Sequence, residues 1–244
     1  MAQNAENDKP AFEKRIDALR EDLVAQGARV QGMIEQSLDA IFARDLDAAR
    51  RVLEADDEVD RVDLQVEQDA VDLLCDISKT ASPMGADHLR LILVCVKINN
   101  ELERIADAAG AVAERVIELG DRTTPFPEST RVITNSVIGI VRDAIGAFAS
   151  FDPERSKVVL RSEDAVLKFS DKIFRSSEQR VADGRMEPDV AFHLHHIVHQ
   201  CELIADHCTN IAEQVIYAAT GVIVRHTGGD WVELDTPKPK PDDA

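Results

Sequence analysis

The sequence is poor in residues that turn or stack a chain. Eleven glycines and nine prolines among 244 residues disfavour an all-β protein, which needs frequent turns. Aromatic side chains make up 4%, too few for the stacking platforms that hold single-stranded nucleic acid. Bases are outnumbered, 28 against 46 acids, which leaves a formal charge of −18. A duplex-binding protein needs a basic face to release counterions, so nucleic acid is excluded as a partner. No apolar run approaches the roughly 20 residues of a membrane span. The N-terminal MAQNAENDKPAFEK lacks the basic and then apolar pattern of a secretory signal. Cys75, Cys95, Cys201 and Cys208 are spread out and form no CxxC pair. That argues against a disulfide framework or structural zinc and fits buried free thiols in a reducing cytoplasm.

Apolar residues are plentiful, at 44%, and recur at helical spacing. A first helix is expected over 12–42, with Ile16, Leu19, Leu23, Val30, Met33, Ile34, Leu38 and Ile41 on one side. A second, over 47–79, carries Val52, Val59, Val66 and Leu73 at seven-residue intervals. Ser82-Pro83-Met84-Gly85 breaks it, and a third spans 87–119. Further helices are expected over 128–149, 153–182 and 188–225, the last with Pro188 in its first turn. Its stripe runs Val190, Leu194, Ile197, Cys201, Ile204, Cys208, Ile211, Val215 and Val222, the seam of a bundle helix. The pattern predicts an all-α fold of two tandem three-helix bundles with six long helices. The first covers 11–120 and the second 128–228, joined by a Pro/Gly linker at 121–127. Residues 1–10 and a polar tail at 229–244 flank them, with disorder expected at both ends.

The third helices repeat each other. ELERIADAAGAVAE (101–114) aligns with QCELIADHCTNIAE (200–213) at a constant offset, so Glu103 matches Glu202 and Asp107 matches Asp206. Residues four apart share a helix face, so each repeat presents a carboxylate pair that repels itself. A cation, a proton or exposure to water relieves the repulsion. The second helix carries ten acids and one base between 54 and 76, with Asp56, Asp60, Asp63 and Glu67 along one face. Antiparallel packing of helices two and three brings Asp56 and Asp60 towards Glu103 and Asp107. Oxygen-rich clusters suit hard cations, and nearby histidine admits iron or zinc. Such acidic runs also serve as plain solvated surface, and His195, Cys201 and Cys208 read as packing residues. The stretch contains no GxSxG and no Gly-rich phosphate loop, which disfavours catalysis.

These motifs resemble the PhoU family of phosphate-uptake regulators: ELERIAD, then ELIADHCTNIAEQVIYAATGVIVRH from Glu202 to His226, Asp87-His88-Leu89-Arg90, and the segment EADDEVD at 54–60. The resemblance covers about 12–234. It implies a cytoplasmic, non-enzymatic negative regulator, often dimeric. Such a regulator restrains the phosphate ABC transporter and holds a phosphate-sensing histidine kinase inactive when phosphate is plentiful. Contact with the membrane is then only through those partners. It also implies divalent or ferric metal (iron, zinc, magnesium or manganese) on E/DxxxD motifs, which map onto Asp56, Asp60, Glu103 and Asp107, and onto Glu163, Glu202 and Asp206. The chain departs from the pattern at Leu203, Ala108 and Ala111, and at Leu167, the repeat equivalent of Asp60. The alternatives are a carboxylate-bridged metal enzyme or storage protein, which requires Glu-x-x-His on two helices, and a metal-free helical adaptor.

Overall fold

The computed structural model describes residues 10–79, 84–120, 122–227 and 230–234. The expected disorder at 1–9 and 235–244 and the Ser82-Pro83 break lie outside the described residues. Six helices are present among those residues: α1 (Ala11–Ala43), α2 (Leu46–Lys79), α3 (Ala86–Leu119), α4 (Glu128–Ser150), α5 (Pro153–Ala182) and α6 (Pro188–Thr220). The α1–α2 and α4–α5 turns are built alike. Arg44 (φ 51°) and Phe151 (φ 48°) end α1 and α4 in the left-handed conformation. An aspartate then caps the next helix. Asp45 Oδ1 accepts from the Ala48 amide at 2.9 Å. Asp152 Oδ1 accepts from Glu154 and Arg155 at 2.9 and 3.1 Å, ahead of α5 with Pro153 in its first turn.

Helices α1, α2 and α3 pack on one another, as do α4, α5 and α6. The most extensive helix pairing, however, joins the two triplets through α3 and α6, and α1 also meets α4. The two central helices therefore bury more than one face. Ala106, Ala109 and Ala113 on α3 and Ala205 and Ala212 on α6 are fully buried. The α2 seam, Val52, Val59, Val66 and Leu73, is buried as its seven-residue spacing predicts. Fully burying such a side chain stabilises the fold by about 1.5–3 kcal/mol.

The chain differs from its pattern in three places. The last helix stops at Thr220 rather than 225. Gly221 takes φ 74° and donates its amide to the Tyr217 carbonyl at 2.9 Å, as glycine does at helix ends. The β-branched run that follows forms β1 (Ile223–Thr227), paired antiparallel with β2 (Asp230–Leu234). Residues 230–234 of the expected tail are thus strand. Second, α4 is long and apolar enough to cross a membrane by length and composition, with half of its apolar window buried within the fold. Ile133, Val137, Val141, Ala144 and Phe148 are among its buried residues. Third, the four cysteines are free, but Cys75 is exposed rather than buried. Burial pushes the Cys95 and Cys201 thiols up to about 12 and raises that of Cys208 as well.

Candidate metal centre and the clefts beside it

Packing of α2 on α3 gathers the first carboxylate set. Asp56 is half-buried, and one of its oxygens, Oδ1, is buried without a hydrogen-bond partner. Burial raises its pKa to about 6, helped by the charges of Asp107, Asp60 and Asp57. Glu103 is also raised to about 6, first by burial, then by Asp107, Asp63 and Asp60, and by a hydrogen bond with Asp107. Asp63 is raised by burial, with Glu67 and Asp60 adding to it. Asn99 holds Asp63 in place, its Nδ2 donating to Oδ1 at 2.6 Å and to the Asp63 carbonyl at 3.0 Å. Gly110, three residues after Asp107, lies beside Asp56: a methyl there would meet Oδ2 at 3.6 Å, an ordinary contact. Asp56, Asp60, Glu103 and Asp107 therefore share one electrostatic neighbourhood, as the helix spacing predicts.

Among the described residues no group of three or more His, Cys, Asp or Glu side chains converges at metal-ligating geometry. Carboxylates that face one another without a counter-charge repel, and their side chains spread. The donor set nevertheless fits a hard cation: it consists of oxygens, one of them buried and unsatisfied. Asp56, Asp60, Glu103 and Asp107 are the residues that would hold it.

The second set is differently built. Glu163 on α5 and Glu202 on α6 are half-buried, and Asp206 is exposed. The Ser170 hydroxyl donates to Glu202 Oε1, and His199 Nδ1 lies 3.3 Å from Oε2. Protein groups thus satisfy the Glu202 carboxylate, and Leu167 stands exposed where the first set has Asp60. His195 is a packing residue: its Nε2 meets Ser177 Oγ at 2.5 Å, and its ring stands edge-on to Phe174 at 4.7 Å.

Two clefts flank the α3–α6 crossing, of about 410 and 520 Å³. Glu103, Asp107, Gln200 and His207 line the larger, and Glu101, Asp206, Asn210, Glu213 and Arg225 line the smaller. Glu101 Oε2 lies 2.8 Å from His207 Nδ1 and accepts from Asn210 Nδ2 at 3.3 Å. That bridge crosses from one triplet to the other. Glu213 is 7% exposed and pairs with Arg225 Nη1 at 2.7 Å, tying β1 to α6.

The PhoU domain family model matches residues 13–116 and again 131–215, so both triplets fall within it. The chain belongs to the PhoU family. The curated relative "Phosphate-specific transport system accessory protein PhoU homolog" of Pseudomonas aeruginosa is 30% identical over 224 residues, 89% of this chain and 88% of that protein. The accessory protein PhoU of Escherichia coli is 28% identical, over 92% of this chain and 90% of its own length. The crystal structure of PhoU from P. aeruginosa superposes with a TM-score of 0.80 at 27% identity, covering 86% of this chain and 99% of that one. PhoU from Streptococcus pneumoniae, at 18% identity and a TM-score of 0.79, shares the fold over 88% of this chain. In this PhoU-family chain, sequence reasoning missed Asn99, Glu101 and the Glu213–Arg225 pair. Helical periodicity marks which face a residue takes within its helix. It does not show that Glu101 meets His207, 106 positions away.

Proposed function

We propose that this chain is an accessory regulator of phosphate-specific transport that acts by binding other proteins rather than by turnover. The observation that carries this reading is the family match across both triplets, joined to a fold shared nearly end to end with PhoU of P. aeruginosa. In this reading it restrains the phosphate ABC transporter through its ATPase and holds the phosphate-sensing histidine kinase inactive when phosphate is plentiful. It works in the cytoplasm as a homodimer and reaches the membrane through those partners. An acidic surface favours encounter with basic patches on such partners. A cation on Asp56, Asp60, Glu103 and Asp107, and a weaker one on Glu163, Glu202 and Asp206, would lower the charge the partners meet.

Deleting the gene tests the reading. The expected result is raised expression from a phosphate-starvation promoter in phosphate-rich medium, with the purified chain retaining the ATPase and the kinase in a pull-down. Unchanged reporter output would overturn it.

A further inference from the structure

At the junction of the triplets, the end of α1, the segment 122–127 and the start of α4 enclose a groove of about 960 Å³, at the upper end of the range for small-molecule sites. Its charge runs against that of the molecule. Among the described residues, Arg44, Arg122 and Arg131 line it with one carboxylate, Glu128, in a chain of net charge −18. Arg122 is already engaged: it pairs with Asp189 at 2.6 Å and donates to the Glu118 and Leu119 carbonyls. Arg44 and Arg131 have no ion pair among the described residues. The Arg44 guanidinium lies 4.8 Å from the Phe126 ring centroid, and its Nη1 is buried with no hydrogen-bond partner. The Arg131 guanidinium sits 4.0 Å from the centroid of Phe42.

Stacking on a ring uses the face of a guanidinium and leaves its in-plane N–H donors open. A buried donor without an acceptor is destabilising, so the groove favours an oxyanion that supplies one. The planar fork of donors matches phosphoryl oxygens. Arg44 leaves the chain at a left-handed residue, which aims it away from the axis of α1. The equivalent position in the second triplet is the apolar Phe151, covered by Arg20 at 5.3 Å. The basic groove is therefore a property of the first hairpin and not of the repeat.

We propose that this groove binds a phosphoryl-bearing anion, with Arg44 and Arg131 taking the phosphoryl oxygens and Ile41, Phe42 and Phe126 offering an apolar wall to any flat organic part. The site goes beyond the partner-binding function above and does not depend on it. Two sources share the chemistry, inorganic phosphate and a nucleotide. Calorimetric titration of the full chain with orthophosphate and with adenosine monophosphate, at fixed ionic strength, separates them. Saturable binding of either, weakened about tenfold or more by Arg44→Gln and by Arg131→Gln and unchanged by Arg175→Gln, is the expected result. Equal binding of the two ligands assigns recognition to the phosphoryl group alone, and tighter nucleotide binding adds the apolar wall; both support the site. Arg131 is exposed, so its variant keeps the test valid should Arg44→Gln unfold, and melting temperatures check both. Absence of saturable binding by both ligands, or binding undiminished in the variants, would overturn it.

Discussion

The face between α2 and α3 carries Asp56, Asp60, Asp63, Glu103 and Asp107, whereas the matching face between α5 and α6 carries Glu163, Leu167, Ser170, Glu202 and Asp206. The frames beneath are alike: the same left-handed turn, the same aspartate cap and a buried seven-residue seam, Val52, Val59 and Val66 on α2 and Val159, Val166 and Ile173 on α5. The difference is electrostatic. In the first triplet burial, and then the repulsion of neighbouring acids, raises Asp56 and Glu103 to about 6, so relief comes from a proton or a cation. In the second, a serine hydroxyl and an imidazole already attend Glu202. One repeated scaffold thus carries one face that asks for a counter-ion and one that supplies its own.

The largest expected effect is on cation affinity. Glu103→Gln with Asp107→Asn weakens manganese binding on the order of 100-fold, about 2.7 kcal/mol, while Glu202→Gln with Asp206→Asn weakens it only a few-fold. Calorimetry on the two double variants checks this, and equal losses would erase the distinction. Next comes stability. Arg225→Ala removes the ion pair with the nearly buried Glu213 and costs about 2 kcal/mol in urea unfolding. Its first-triplet counterpart Glu114 is exposed, and Arg115→Ala, which removes its pair, costs under about 1 kcal/mol. Leu167→Asp restores the missing acid and raises second-face affinity by about tenfold if carboxylate count sets the difference.

The smallest effect is on pH dependence. Metal-free Asp56 and Glu103 titrate in the folded chain at about 6, above their ordinary values, so the folded state holds their protons longer. Their contribution to stability is full below about pH 4 and is lost as pH rises through 6. Urea midpoints of the metal-free protein measured from pH 4.5 to 7 should fall less steeply in Asp56→Asn than in the unsubstituted chain. Manganese binding at pH 6 should release protons, measurable as a dependence of heat on buffer.

The helices and the first carboxylate set were legible because both are local or nearly so. A seven-residue seam declares itself along one helix, and Asp56 meets Asp107, as Glu103 meets Asp60 and Asp63, through a simple pairing of neighbouring helices. The α3–α6 crossing was not legible, because its contacts join residues far apart in the chain, as Glu101 and His207 are at 106 positions. Arg44 and Arg131 are 87 positions apart and belong to different triplets, and no periodicity links them. The terminal hairpin was hidden by Val222, whose spacing continues the α6 stripe beyond the glycine that ends the helix. Cys75 was misplaced for the opposite reason: its type suggests burial, but it falls two residues past the Leu73 seam, on the outer side of α2.

Anomalous diffraction from crystals grown with manganese tests the contrast between the two faces most directly. The expected map has its strongest peak between α2 and α3, beside Asp56, Asp60, Glu103 and Asp107, and a weaker peak or none beside Glu202. A peak confined to the α5–α6 face, or peaks of equal height at both, would contradict the account.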